Sequence, residues 1–172
     1  LYFTLKPITT WYHTTVPSTG VKVKYRAYNV GDERALMMAE ESSDDDTMIT
    51  TLNQIVLDCV ESLEKGVTIE SFTTYDLEFL FTKIRSKSVG EQSNVILTCK
   101  NKECGEKMQV NVNLETVYVS GTSAPLTVKL SETRGVKVTH PTVIEAAVID
   151  KMDQEWDTQM AALMFSIREI YD

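Results

Sequence analysis

The chain has 172 residues, which is enough for one ordinary domain with a hydrophobic core or for two very small ones. Its Asp and Glu side chains outnumber its Lys and Arg side chains. The resulting formal net charge of -8 argues against a general nucleic-acid binder, which would neutralise phosphates with clustered basic residues. Three cysteines cannot form a disulfide framework, and no apolar run approaches the roughly 18 residues of a membrane span. The composition therefore predicts a soluble protein of a reducing compartment, with neither a nucleic-acid nor a membrane partner.

A β-hairpin and two helices are predicted for the N-terminal third. β-Branched and aromatic residues on both sides of the turn at residues 17–20 are typical of two paired strands. A short helix is expected to begin at Gly31, and a second one, with an apolar stripe over residues 49–63, is expected to pack in the core. The acidic cluster at 44–46 could be a metal site. Carboxylates at a helix N-terminus bind its free amides, so we interpret the cluster as a cap.

The central helix carries two faces that both need a partner. A threonine cap near Thr74 predicts its start, and Gly90 predicts its end. One face has the i, i+3, i+4 spacing of a core helix and consists of Leu77, Leu80, Phe81, Ile84 and Ser88. On the opposite side, Tyr75, Phe79, Thr82 and Ser86 form a second, partly aromatic stripe. Two interpretations of this stripe stay open: it lies between two layers of one domain, or it contacts another protein chain.

Beyond Gly90 the pattern changes from helix to strand. Short strands are predicted over residues 93–98, 108–114, 126–130 and 136–139. The first two runs flank Cys99 and Cys104, which predicts an antiparallel arm with cysteines near its tip. Two C-terminal helices are predicted over residues 143–152 and 153–172.

The last helix has the spacing of an interaction seam. Its apolar positions follow the four-three-four-three pattern of a coiled coil and are Trp156, Met160, Leu163, Ile167 and Ile170. Met164 broadens the stripe with a flexible thioether that adapts to irregular partners. The stripe either packs on its own domain or is presented to another chain. We predict that it binds a partner, as we do for the Tyr75 and Phe79 face.

No catalytic or metal site is predicted from the cysteines and histidines. A structural zinc site needs four ligands, whereas Cys99 and Cys104 supply two, at a wider spacing than a CxxC knuckle. A pair of reduced thiols is therefore expected. His13 and His140 have no nucleophile or orienting carboxylate at a diagnostic spacing, and no cofactor-binding motif accompanies them. The sequence therefore predicts no cofactor and no enzymatic activity.

The central helix also carries a family resemblance. The run from Asp76 to Phe81, continued from Lys83 to Glu91, resembles the central motif of the baseplate hub proteins of T-even-like contractile-tailed bacteriophages. Other blocks resemble that family in the same order; they are residues 15–26, Asp32-Glu33 with Leu36, Cys104-Gly105, and residues 135–138 with Pro141-Thr142. The resemblance covers roughly residues 10–147.

This resemblance implies a structural or assembly component of a phage tail baseplate hub that acts by protein–protein recognition. The implied partners are other baseplate or tail hub proteins. The implied location is the virion tail baseplate, after assembly in the host cytoplasm. The alternative function is a metal-dependent module or enzyme with a site near Cys99 and Cys104.

We predict one α+β domain over residues 1–172. It combines an N-terminal β-hairpin, a helical middle layer, a small antiparallel sheet with a Cys-containing β-arm, and C-terminal helices. The hairpin and helices occupy residues 10–91, the small sheet 92–140, and the C-terminal helices 141–172.

Overall fold

The computed structural model describes residues 9–62, 64–101, 104–120, 125–152 and 155–172. The helices are α1 (Val30–Ser42), α2 (Asp45–Cys59), α3 (Thr74–Ser88), α4 (Val143–Ile149) and α5 (Glu155–Ser166). The strands are β1 (Tyr12–Thr15), β2 (Lys22–Tyr25), β3 (Val60–Ser62), β4 (Gln92–Thr98), β5 (Lys107–Asn113), β6 (Leu126–Lys129), β7 (Gly135–Val138) and β8 (Ile167–Tyr171). This mixture of helices and small sheets confirms the predicted α+β class. No helix in the described part is long and apolar enough to cross a membrane.

Three small sheets are built from these strands, in the orders β1-β2-β3, β4-β5 and β6-β7-β8. The predicted N-terminal hairpin is confirmed. Its turn is closed by the Val16 amide, which donates to the Val21 carbonyl at 2.8 Å, and Gly20 adopts a positive φ of 73° that favours glycine. The predicted cysteine arm is the antiparallel pair β4-β5, in which Cys99 donates its amide to the Glu106 carbonyl at 2.8 Å.

The C-terminal segment differs from the sequence prediction, because the last helix ends at Ser166 and residues 167–171 form strand β8. Strand β8 pairs with β7, so that Ile170 lies opposite Val136 and Tyr171 opposite Gly135. A Cβ atom on Gly135 would lie 2.2 Å from the Tyr171 hydroxyl, so the glycine makes room for this ring. Pairing with a strand about 30 residues away overrides the local helical period. The heptad-like seam therefore does not continue through Ile167.

Two other helices also end earlier than predicted. Helix α2 ends at Cys59, and Val60 already belongs to β3. Helix α4 ends at Ile149 instead of Met152. Its start agrees with the prediction from Pro141-Thr142, because Thr142 and Glu145 form a capping box there.

Contacts between Cα atoms divide the chain into two compact units. The described residues of the first unit come from 9–13, Lys24–Val60 and Phe79–Tyr118. Its buried apolar side chains lie on β2, α1, α2, β3 and α3 and are Tyr25, Ala39, Ile55, Val56, Cys59, Val60, Leu80 and Ile84. Helices α1 and α2 pack against each other in this unit.

The second unit is drawn from Thr14–Val23, Glu61–Glu78 and Val119–Asp172. Its buried apolar side chains are Val16, Val21, Val23, Phe72, Leu77, Ile149 and Ala161. Phe72 is the largest of these, and its backbone carbonyl accepts a hydrogen bond from Val143 at the start of α4. The prediction of one domain over the whole chain stays a prediction.

Helix α3 contributes core residues to both units. Leu77, Leu80 and Ile84 are buried as predicted, and the helix ends before Gly90, whose φ is +135°. Phe81, predicted to be a core residue, is partly exposed. Polar residues take more of the buried side than the sequence pattern indicated, because Asp76, Lys83 and Ser86 are also buried.

Candidate functional site

Helix α5 exposes a contiguous group of large apolar side chains. The exposed fractions are 39% for Met160, 54% for Leu163 and 68% for Met164. Residues spaced i, i+3 and i+4 lie on one helix face, so the three side chains form one surface, which we call the α5 surface. Ala161, which is only 6% exposed, faces the interior instead. The predicted stripe of the last helix is therefore present at these three positions and is open to solvent.

The other members of the predicted seam are placed differently. Ile167 lies in strand β8 and is half-buried, opposite Val138 of β7. Ile170, in the same strand, is 75% exposed. The side chain of Trp156 lies outside the described residues.

Helix α4, which packs against α5, adds further exposed apolar side chains to this unit. Ile144 and Val148 are spaced i, i+4 on α4, and 57% and 43% of their surfaces are exposed. Both helices therefore present apolar side chains to solvent, although each also contributes a buried residue, Ile149 or Ala161, to the core. Exposed apolar groups of this kind mark contact surfaces in proteins.

An ion pair ties the start of α4 to strand β8. The guanidinium of Arg168 donates to both carboxylate oxygens of Glu145 at 2.7 Å, and its Nε donates to the Thr139 hydroxyl at 2.9 Å. The Arg168 hydrogen bonds, followed by those from Thr142, lower the pKa of Glu145 to about 2, against an opposing effect of burial. The cation is thus already matched by a carboxylate of its own unit.

A cleft of about 690 Å³ opens beside this ion pair. Its lining is rich in hydroxyl groups and consists of Ser18, Thr19, Ser71, Thr73, Tyr75, Pro125, Leu126, Thr127, Val138, Thr139, His140, Thr142, Ser166 and Arg168. In this cleft the rings of Tyr75 and His140 pack edge to face, with their centroids 5.1 Å apart and their planes at 81° to each other. Among the described residues, His140 makes no hydrogen bond with a hydroxyl group of this cleft.

One predicted partner residue, Tyr75, therefore lies in the wall of this cleft. The other, Phe79, lies one helical turn further on, in the first unit, and is also half-buried. The ammonium group of Lys83 lies 5.3 Å from the centroid of the Phe79 ring, a cation–π distance. The two aromatic side chains thus have different surroundings, one among hydroxyl groups and one beside a lysine.

Lys83 is in turn held by a short helical turn that follows β5. Its ammonium donates to the Glu115 carbonyl at 2.7 Å, and the Glu115 carboxylate accepts from the Ser86 hydroxyl at 2.6 Å. Hydrogen bonds from Ser86, and then from Lys87, hold the pKa of Glu115 below its usual value despite some burial. Lys83 and Lys87 therefore have carbonyl or carboxylate partners within their own unit.

Asp76 is a buried polar site that the sequence reasoning missed. Its fully buried carboxyl accepts hydrogen bonds from the amide of Ser18 at 3.0 Å and from the Ser18 hydroxyl. It also accepts from the Thr73 amide at 2.9 Å and hydroxyl at 2.6 Å. The signal was present, because Thr73 and Asp76 have the spacing of a helix capping box. The carboxyl fixes the start of α3 and the turn between β1 and β2.

The cysteines are placed as their pattern predicts. Cys99 and Cys104 are exposed free thiols in the arm, whereas Cys59 is buried, and burial raises its pKa to about 11. The described residues contain no group of three or more His, Cys, Asp or Glu side chains that could hold a metal ion. The alternative function, a metal-dependent site near Cys99 and Cys104, has no support from these described residues.

Comparison with known proteins identifies one family. A profile described as T4 bacteriophage base plate protein matches residues 9–172, which is nearly the whole chain. Comparison with curated proteins and with solved structures returns no significant match. The chain therefore belongs to the T4 bacteriophage base plate protein family, whose members are structural proteins of the phage tail baseplate and interact with other baseplate proteins.

Proposed function

We propose that this baseplate protein is a non-enzymatic component of the central hub of a contractile tail, and that it is held there by the α5 surface. The protein is assembled into the baseplate in the host cytoplasm and acts there by protein–protein recognition. Its partner is another baseplate or tail hub protein that covers Met160, Leu163 and Met164.

The exposure of these three side chains carries the proposal. A folded protein gains stability by removing such groups from water, and fully burying one large apolar side chain stabilises a contact by about 1.5–3 kcal/mol. Leu163 and Met164, at 54% and 68% exposed, would each gain part of this amount on docking. Methionine is enriched at protein interfaces because its thioether adapts to irregular surfaces.

Two features support a role without bond-making. The cleft contains many hydroxyl groups, but its imidazole packs on Tyr75 and its guanidinium binds Glu145. An oxyanion or phosphate would have to compete with that carboxylate for Arg168. The chemistry of the cleft therefore favours structural packing over catalysis.

Replacing Leu163 with Asp tests the proposal. The variant places a carboxylate in the α5 surface, where it is tolerated in water but costs several kcal/mol in an apolar contact. We expect the isolated variant to keep its helical circular dichroism spectrum and melting temperature. In phage whose own copy is deleted, we expect its incorporation into purified baseplates to fall at least about tenfold, the equivalent of ~1.4 kcal/mol.

Val89→Asp is the matched control, because Val89 is similarly exposed, at 62%, but follows α3 in the other unit. It should be incorporated as well as the unchanged chain. Normal incorporation of the Leu163 variant would exclude the α5 surface as the contact. Unfolding of the isolated Leu163 variant would place that side chain in the core. Copy number in mature particles tests the hub assignment separately, since a fixed copy number is required of a component and absent for a transient assembly factor.

A further inference from the structure

Almost the entire net charge of the chain lies in one helical hairpin. The segment Val30–Cys59, which comprises α1 and α2, has eight acidic side chains and one basic one, Arg34. Its formal charge of -7 compares with -8 for the whole protein. The acidic side chains are Asp32, Glu33, Glu40, Glu41, Asp44, Asp45, Asp46 and Asp58.

Several of these carboxylates have a structural explanation: Glu33 lies in the first turn of α1, and Asp58 accepts a hydrogen bond from the Gln54 side chain at 3.0 Å. Asp32 completes the capping box of α1 with Asn29 and lies 3.7 Å from the Arg26 guanidinium. Asp44 caps α2 by accepting from the Thr47 amide, and hydrogen bonds from Thr47 lower its pKa. Both lie at helix N-termini, where a negative charge is stabilising.

Glu40 and Glu41 have no such explanation. They lie in the last turn of α1, which contains no basic residue, and their carboxylates make no hydrogen bond or ion pair with any described residue. A negative charge near a helix C-terminus opposes the helix dipole and is destabilising. Residues that oppose the helix dipole without gaining a contact in the folded chain are candidates for binding another molecule.

The same helix also turns apolar side chains away from the protein. Val30, Met37 and Met38 are 80%, 58% and 62% exposed, whereas Ala39 is only 3% exposed. At about 100° per residue, Val30 and Met37 lie ~20° apart and nearly opposite Ala39. We call Val30, Met37 and Met38 the α1 surface; Arg34 and Glu41 lie on the same side of the helix.

We propose that the α1 surface, with Glu40 and Glu41 at its edge, docks an amphipathic helix of another protein whose apolar stripe is flanked by Lys or Arg. Apolar side chains two turns apart on one helix face leave room for the side chains of a second helix to pack between them. The charge argues for this occupant, because a segment of charge -7 would repel nucleic acid, anionic lipid and the same segment of a second copy of this chain. The inference rests on the proposed function only in taking that partner from the baseplate.

A synthetic peptide tests the surface without the partner being known. The probe is a fluorescein-labelled amphipathic peptide of Leu and Lys, about 18 residues or five helical turns long. Binding to the full chain is measured by fluorescence anisotropy, next to a peptide in which Gln replaces every Lys. We expect the Lys peptide to bind at least about tenfold more tightly than the Gln peptide. Raising the salt from about 0.01 M to about 1 M, which shortens the Debye length from roughly 30 to 3 Å, should remove that difference.

Three double variants locate the contact. Met37→Ser/Met38→Ser removes apolar surface and keeps the charge, whereas Glu40→Lys/Glu41→Lys reverses the charge and keeps the surface. We expect each to raise Kd for the Lys peptide at least about tenfold. The matched control Ile96→Ser/Met108→Ser, which changes two similarly exposed apolar residues of the β4-β5 arm, should leave Kd unchanged.

The proposal is overturned if the Lys peptide does not bind, or if the Met37→Ser/Met38→Ser variant binds it unchanged, because binding would then be charge attraction without docking. It is also overturned if the Ile96→Ser/Met108→Ser control loses as much affinity as the α1 variants, or if a DNA duplex competes for the chain better than the peptide. These outcomes are independent of the Leu163→Asp experiment, so this inference and the proposed function can fail separately.

Discussion

Replacing Asp76 with Ala tests whether the buried carboxyl organises the second unit. The side chain is fully buried and accepts four hydrogen bonds, two from Ser18 and two from Thr73. The methyl group of alanine accepts none. The hydroxyls of Ser18 and Thr73 can rotate towards other partners, but their two backbone amides are fixed and would lose their acceptor.

The expected cost follows from these two amides. A buried donor left without a partner costs about 1–3 kcal/mol, and loss of the negative charge at the start of α3 costs about 0.3–1 kcal/mol more. Asp76→Ala should therefore lower the free energy of unfolding by about 2–7 kcal/mol. Asp76→Asn keeps one carbonyl acceptor, so we expect it to lose about half as much.

Urea unfolding followed by circular dichroism measures these changes as shifts in the midpoint at constant slope. Glu70→Ala is the control, since Glu70 is an exposed acidic residue of the same unit and should change stability by less than about 0.5 kcal/mol. A loss below about 1 kcal/mol for Asp76→Ala would refute the reasoning, because the orphaned amides would then have found other partners.

Three further predictions concern the core, the arm and pH. Phe72→Ala should cost about 3–5 kcal/mol in urea unfolding because Phe72 is fully buried, and the partly exposed Phe81 should lose clearly less on the same change; equal losses would contradict the burial argument. Replacing Cys99 and Cys104 with Ser, or adding a chelator, should leave the melting temperature unchanged, whereas a structural zinc site would be lost and the arm would unfold. The depressed pKa of Glu145 means that its contribution to stability is full above about pH 4.5 and is lost as the pH falls towards about 2. The difference in urea midpoint between the unchanged chain and Glu145→Gln should therefore shrink over that range; a constant difference would show that proton binding at this carboxyl is not involved.

Local signals predicted much of this fold. The turn before Val21, the caps of α1, α2 and α4, and the glycine after α3 depend on nearby residues, so they can be read from short segments. Strand β8 could not be predicted in this way, because residues 167–171 fit a helical period and a strand equally well. Pairing with β7 decides between them, and that partner is distant in sequence.

For the candidate surfaces, the sequence predicts which residues share a helix face but not which of them are exposed. Periodicity alone placed Met160, Leu163 and Met164 on one face, but their exposure depends on what packs around α5. The same limit applies to Phe81, which fits the core period yet is partly exposed. The aromatic pair of α3 was read as one stripe, although Tyr75 meets an imidazole and Phe79 an ammonium group. Burial and ring partners are set by tertiary packing, which no single helix specifies.

The chain passes back and forth between its two compact units, and this limits how it can fold and how proteases can divide it. Each unit is drawn from three stretches of sequence, and the stretches alternate along the chain. No single proteolytic cleavage therefore separates the chain into two fragments that each contain one whole unit. Synthesis from the ribosome cannot complete either unit until Phe79–Tyr118 or Val119–Asp172 has emerged. Closing such long loops costs entropy before their contacts form, so we expect slow, late acquisition of structure and a single protease-resistant product of nearly full length.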